Sequence, residues 1–464
     1  MAHITAIASS PDKKKISIST HDDIFEEDSD EGRLTIPIKD IFAIKKDQSS
    51  YIVYYASYPA TEPEAETASK SLRPTAKSRQ LAELRYNAGD EALNTFFDVL
   101  RQRLDIKTID PNTHIHAILN PVSGSRTTRK QWQDVILPML LALNISESQI
   151  HLHLTQGTGD GSKIAADLAS NVLAKAGYPI IILSIGGDGT LHEVINGMSQ
   201  AQIAVNVQLG IVPSGSGNAY ATALGISDPA DGILRVLGGK TQPLRTIRVS
   251  FGQCTDSTSG QSWHESVKFK DNVQDPRIMV VFSWGFHAQI VSKSEYLRPF
   301  MGNSRFSLVA GFLLWWMPRY AGNIVLKDSK LFDSKSQTWK EATETTFMNG
   351  NYSYFLAAKM PELEPGFRIA PLASTTDDYV DLVLLKDGSS DELKSALYRA
   401  FDNGNHIHEP KLEYLKTKEL YLRVQHSTEV CLDGEIHKIP KGGVVRLEVV
   451  KPLTQGEIAF QTFI

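Results

Sequence analysis

The chain has 464 residues but only two cysteines, Cys254 and Cys431, far apart and in no metal-ligating spacing. A disulfide framework is not expected, and a reducing compartment is. No apolar run approaches the roughly 20 residues that a membrane-spanning helix needs. The opening MAHITAIASSPDKKK lacks an apolar core of signal-peptide length. Positive charge is not in excess either: the formal net charge is −5, so no basic field advertises a nucleic-acid partner. Two phosphate-binding patterns are missing as well. Gly157-Thr158-Gly159-Asp160-Gly161-Ser162-Lys163 comes near a P-loop without its spacing, and the first strand of the α/β region is followed by no GxGxxG. These absences lead to the expectation of a cytoplasmic protein that associates with membranes reversibly at most.

What is present is organised around Pro179–Met198, PIIILSIGGDGTLHEVINGM. The unbroken run Ile180–Leu183 reads as a strand buried on both faces of a parallel sheet. Gly186-Gly187-Asp188-Gly189-Thr190 follows, and Leu191, Val194, Ile195 and Met198 then recur at helical spacing. A glycine loop between a strand and a helix lets the backbone approach a ligand, and the helix start favours an anion such as phosphate. Asp188 would repel a bare phosphate, so it points to a bridging cation or to a base acting beside the phosphate.

Around this stretch, strands and helices alternate from residue 111 to residue 245. Strands end before Asn120-Pro121-Val122-Ser123-Gly124, before Thr155 and before Pro213-Ser214-Gly215-Ser216-Gly217-Asn218. The alternation predicts a doubly wound, Rossmann-like α/β domain with its ligand loops at the carboxyl ends of the strands. Residues 246–464 read as a mostly antiparallel, β-sandwich-like domain. Its most apolar element, Phe306–Met317, makes a helix of about 18 Å, too short to cross a bilayer. It reads as a core helix or as the wall of an apolar pocket. Residues 1–33, with a basic cluster and then an acidic run, are expected to be disordered. Residues 34–110 read as a β-rich extension with a long loop at 59–80 and a closing amphipathic helix over Asp90–Leu104, possibilities that include a pleckstrin-like module.

Asn120-Pro121-x-Ser-Gly, Gly186-Gly187-Asp188-Gly189-Thr190, Gly215-Ser216-Gly217-Asn218 and Asp433-Gly434-Glu435 occur in that order. The set resembles the diacylglycerol-kinase catalytic domain of the lipid-kinase superfamily. Ser283-Trp284-Gly285-Phe286, Ser294–Arg298 and Gly302-x-x-Arg305-Phe306 are most similar to the sphingosine-kinase branch. The resemblance implies ATP, Mg²⁺ and phosphoryl transfer to the primary hydroxyl of a membrane-derived lipid. It assigns nucleotide contacts to Asn120, Pro121, Val122, Thr155, Gly159, Gly186, Gly187, Gly189, Thr190, Glu193, Gly215, Ser216 and Gly217. Arg298, Arg305, Asp433 and Gly434 join that set. Asp188 matches the proposed general base, with Glu435 as the alternative, and Asp188 and Asp433 would face the metal. Gln289, Val291 and Phe306 would face the lipid. In this branch the segment after Trp-Gly-Phe carries carboxylates that pair with the sphingoid ammonium, whereas here Gln289 and Val291 occupy it. The expected acceptor is a sphingoid long-chain base, with diacylglycerol or ceramide as alternatives. A catalytically silent lipid-binding protein is the reading from another class.

Overall fold

The computed structural model describes residues 4–9, 15–21, 23–30, 32–46, 50–57, 79–87, 91–104, 109–143, 145–201, 203–254, 261–270, 274–297, 304–342, 344–450 and 457–464. At its centre is a six-stranded sheet. Its strands run in the order Thr241–Leu244, Ala459–Phe463, Asn206–Pro213, Ile180–Gly186, His114–Leu119, Ile150–Leu154. Neighbouring pairs are parallel except at the Thr241–Leu244 edge. Every residue of Ile180–Gly186 is buried. Ile180 and Ile182 join one core, and Ile181, Leu183 and Ile185 join another across the sheet. This is why the strand reads as a continuous apolar run: helices cover both of its faces.

The strand Ala459–Phe463 differs from the expectation that residues 246–464 form the second domain. It lies in the first sheet, parallel to Asn206–Pro213. Phe460 packs into one core and Phe463 into the other. The sequence reading places no strand here, and five residues buried on both sides do not say which sheet receives them. The remaining strands after Leu244 build a 14-stranded, largely antiparallel sheet. In it, Val281–Trp284 pairs with both Thr345–Ala358 and Thr428–Leu432. Thr428–Leu432 forms a hairpin with Glu435–Ile439, placing Asp433-Gly434 at the turn.

The expectation of disorder over residues 1–33 does not hold for the residues described there. Ile4–Ser9, Lys15–His21, Ile24–Ser29 and Gly32–Pro37 form a four-stranded antiparallel sheet. The acidic run hides a period of two: Ile18, Phe25 and Ile36 are buried, Glu26 and Asp28 take the other face, and Glu27, opposite Ile18, accepts the hydroxyl of the buried Tyr86. Ile41–Lys46, Ser50–Ser57 and Gln80–Asn87 form a three-stranded sheet. Helix Glu91–Arg103 inserts Leu93, Phe96, Phe97 and Leu100 into one core shared with both sheets. Of the expected 59–80 loop, residues 59–78 lie outside the described residues. The three-stranded sheet also rests on the α/β body, where Phe42, Ala43 and Ala56 join the Ile181–Ile185 core.

Candidate active site

Three glycine loops meet at the carboxyl ends of neighbouring parallel strands. The Gly186 carbonyl accepts the N–H of Ser214 at 2.8 Å and of Gly215 at 3.2 Å, and Asp188 N–H donates to the Gly217 carbonyl at 3.0 Å. The packing is backbone on backbone: a Cβ at Gly187 would stand 2.6 Å from the Gly217 carbonyl oxygen, and one at Gly124 2.6 Å from that of Ser214. Asn120 joins the group through its N–H to the Ile185 carbonyl, 3.0 Å, and its amide to the Thr190 hydroxyl, 3.4 Å. Its side-chain oxygen accepts the Val122 N–H at 3.1 Å, holding the Asn-Pro-Val turn open with Val122 exposed. The fourth loop is tied in where Thr155 N–H reaches the Leu119 carbonyl at 3.0 Å.

Glu193 occupies a place that its position in the sequence did not reveal. Its two carboxylate oxygens accept the N–H groups of Gly159, at 2.8 Å, and Gly161, at 2.9 Å. Gly159 takes a left-handed conformation, φ 82°, at the start of the Asp160–Asp167 helix. Glu193 therefore shapes the loop that follows Thr155. Bonds from N–H to a carboxylate contribute about 1.5–3 kcal/mol. Glu193→Gln keeps the volume but leaves only one accepting oxygen. We expect ATP affinity to fall by about tenfold or more with little change in turnover at saturating ATP. Equal nucleotide affinity in titration of the two proteins would remove Glu193 from the nucleotide site.

The Asp188 carboxylate accepts N–H bonds from Ala219, at 2.7 Å, and Tyr220, at 3.1 Å. Burial pushes its pKa up to about 6 against those two bonds, with the charge of Asp433 adding to the rise. Asp433 is engaged differently. Its carboxylate accepts the N–H groups of Met279, Val280 and Val281 at 2.8–3.0 Å, and His192 Nδ1 stands 3.2 Å away. The residue sits at φ 49°, a left-handed turn that lets its side chain fold back onto this strand. His192 was missed by the sequence reading, although it lies one helical turn after Asp188 on a face the spacing gives. Burial alone would lower its pKa, but the hydrogen bond and charge of Asp433, with Glu435 and Glu193 beyond, raise it. Glu435 is half-exposed, 3.9 Å from His192 Nε2.

This donor set does not make a Mg²⁺ site at Asp433. Three backbone donors and His192 occupy the acceptor positions of its two oxygens. Among the described residues no group of three or more His, Cys, Asp or Glu could hold a metal ion. The expected metal role of Asp433 is replaced by an anchoring role: it fastens the hairpin turn to the strand beside it.

A cavity of about 790 Å³ opens from Asp188, Gly217 and Asp433. It runs along Phe286, Ile290, Val291, Phe306 and Leu314 to Trp315, Tyr398 and Phe401. Phe286–Ser294 and the apolar Ser304–Trp316 are helices along its wall. Val291 and Phe306 line it. Gln289 does not; it lines a separate cavity on the other side of its helix. His287 also lines the apolar cavity, its Nδ1 2.8 Å from the Ser283 hydroxyl. Burial drops its pKa to about 4, so the ring is neutral.

Residues 114–249 match the diacylglycerol kinase catalytic domain, and residues 344–451 match the YegS C-terminal NAD kinase beta sandwich-like domain. The chain belongs to the diacylglycerol-kinase superfamily of lipid kinases. Among the similar lipid kinases is sphingosine kinase 1 of Arabidopsis thaliana, 24% identical over 393 residues, covering 73% of this chain and 72% of that protein. Sphingoid long chain base kinase 4 of Schizosaccharomyces pombe is 23% identical over 363 residues, covering 72% of this chain and 73% of that protein. A diacylglycerol kinase of Bacillus subtilis is 24% identical over 349 residues, covering 73% of this chain and 97% of that protein. A crystal structure from Bacillus anthracis, assigned to the diacylglycerol kinases, shares the fold. Its TM-score is 0.51 at 16% identity, over 75% of this chain and 94% of that one. Within this lipid kinase, Arg298 lies outside the described residues. Arg305 is buried at the start of the Ser304–Trp316 helix, its guanidinium 4.3 Å from the centre of the Phe306 ring.

Proposed function

We propose that the chain transfers the terminal phosphoryl group of ATP, bound as its Mg²⁺ complex, to the primary hydroxyl of a sphingoid long-chain base. One observation carries the reading: an apolar cavity of tail-binding size starts at a buried carboxylate beside the glycine loops. The loops hold the nucleotide phosphates through backbone N–H groups, and the lipid hydroxyl approaches Asp188, which takes its proton as the phosphoryl group arrives. Glu435, half-exposed and absent from the cavity lining, is the less suitable base. Asp433 and His192 hold the hairpin over the site. Among the described residues, Asp188, Glu364 and Asp391 bring carboxylates to the cavity lining beside one cation, Lys394, the Asp433 carboxylate being taken up by its own donors. That balance favours a cationic head group, since a sphingoid amine sits on the carbon next to the one bearing the reacting hydroxyl.

Lipid is drawn from a membrane surface in this reading. Leu308, Phe312, Trp315 and Trp316 are exposed on the Ser304–Trp316 helix, and Tyr398 and Phe401 are exposed across the cavity from Trp315. Large aromatic side chains left in water beside a cavity suit the headgroup region of a bilayer. No helix among the described residues is long and apolar enough to cross one.

A neutral acceptor, diacylglycerol or ceramide, is the second reading, favoured by Val291 on the cavity wall. The test is radiolabelled phosphate transfer from ATP to sphingosine, phytosphingosine, ceramide and diacylglycerol. Label on the two amines supports the proposal; label only on neutral lipids replaces it with the second reading. Label on none, with ATP still bound, leaves a silent lipid-binding protein. Val291→Asp should raise the preference for the amine over the neutral acceptor by about tenfold, the worth of one charge-assisted bond. An unchanged preference would remove Val291 from the head-group contact.

A further inference from the structure

The cavity that takes Gln289 has about 780 Å³ and lies across the Phe286–Ser294 helix from the apolar pocket. Its lining is of another character. Among the described residues, Lys293, Arg319 and Lys438 line it with one carboxylate, that of Glu429, and with His426, Ser427 and Thr428 between them. Glu429 stands opposite Lys438 in the hairpin, and Arg319 lies 3.8 Å from Asp387. Two further side chains in the lining carry buried polar atoms that have no hydrogen-bond partner among the described residues: Trp284, through Nε1, and Tyr320, through its hydroxyl. Trp284 is only 1% exposed. An indole N–H can only donate, and burial raises the Tyr320 pKa, so the phenol keeps its proton and can donate as well. Buried donors without acceptors are rare in folded proteins and call for an explanation.

We propose that this second cavity binds an anionic, acceptor-rich group, a phosphate, either free or as the head group of a phosphorylated lipid. Lys293 on the helix and Lys438 on the hairpin take its charge from two sides, and the buried donors supply directed hydrogen bonds. The helix is the one whose other face carries Phe286, Ile290 and Val291 into the apolar pocket. The hairpin is the one whose turn carries Asp433. An anion bridging the two lysines therefore holds together the elements that flank the lipid site.

The experiment is titration calorimetry of the full chain with its nucleotide site saturated by a non-hydrolysable ATP analogue, which keeps phosphate off the glycine loops. One arm uses inorganic phosphate. The other uses phosphatidylcholine vesicles with and without phosphatidic acid. The variants are Lys293→Ala/Lys438→Ala, both at exposed positions, and Trp284→Phe, which deletes the N–H. We expect saturable binding in at least one arm, weakened by about tenfold or more in the double variant and weakened again by Trp284→Phe. Heat with inorganic phosphate identifies the free anion as sufficient. Heat only with phosphatidic acid identifies the lipid head group. No binding in either arm, or equal binding by wild type and the double variant, overturns the proposal.

Discussion

Asp188→Asn should lower turnover by about 10²–10⁴-fold, the contribution of a positioned base, while ATP binding stays largely intact. The substitution keeps the shape of the side chain. It retains one accepting oxygen, so one of the bonds from Ala219 and Tyr220, which the carboxylate holds at 2.7 and 3.1 Å, is lost and a modest fall in melting temperature accompanies the substitution. If Asp188 served only to anchor those residues, melting temperature and nucleotide affinity would fall together with turnover. The pH profile separates the roles further. Burial lifts the Asp188 pKa to about 6, and a base acts only when deprotonated. In the wild type, kcat/KM should therefore climb as pH rises through about 6 and level off above it. The climb should vanish in the Asn variant. A wild-type profile flat between about pH 5 and 8 would contradict the base role. Glu435→Gln is the companion measurement: the residue is half-exposed and outside the apolar cavity, so turnover should change by less than about tenfold. A loss as deep as that of Asp188→Asn would transfer the role to Glu435.

The parts of the fold legible in the sequence were those where one period carried the message. The buried run Ile180–Leu183 and the glycine loop after it announced a parallel sheet, because apolar residues on both faces leave no alternation. The strands between residues 246 and 450 were visible because glycine- and polar-rich turns separate them, although several, such as Val281–Trp284, are buried throughout. Less was visible where two signals were superposed. In residues 15–37, charges that suggested disorder, such as Glu26 and Asp28, occupy the outward positions of strands whose inward positions hold Ile18, Phe25 and Ile36, and the inward Glu27 is bonded to the buried Tyr86. The candidate site divides in the same way. Local motifs located Asp188 and the glycines, since strand, loop and helix are contiguous. What each carboxylate touches depends on partners far along the chain. His192 and Asp433 are 241 positions apart, and Glu193 reaches back 34 to Gly159. Gln289 shows the remaining limit. It stands two positions before Val291, and on a helix that spacing turns one side chain away from the other.

Gly215→Ala should disable the site by a route that replaces no catalytic side chain. A Cβ there would stand 2.4 Å from Gly187 Cα and 2.7 Å from Gly187 N. Both are backbone atoms of the loop that carries Asp188, so no flexible side chain can give way. The two loops must separate, straining the bonds from Ser214 and Gly215 to the Gly186 carbonyl and from Asp188 to Gly217. Forced overpacking of this kind costs about 1–3 kcal/mol, and a displacement of about 1 Å at reacting groups costs about 10²-fold in rate. We expect a lower melting temperature together with activity reduced about a hundredfold or more. Gly189→Ala is the informative contrast. Nothing lies within 4 Å of a Cβ at that position. Alanine also suits a helix better than glycine by about 0.5–1 kcal/mol, so the fold should be at least as stable. Any activity lost by Gly189→Ala must then come from a methyl group obstructing the nucleotide itself. Loss of ATP affinity without loss of stability at residue 189, beside loss of both at residue 215, would separate a glycine kept for its ligand from one kept for its neighbouring loop. Wild-type melting and nucleotide affinity in Gly215→Ala would instead show that the contact between the two loops is slack, and the cradle would have to be attributed to other residues.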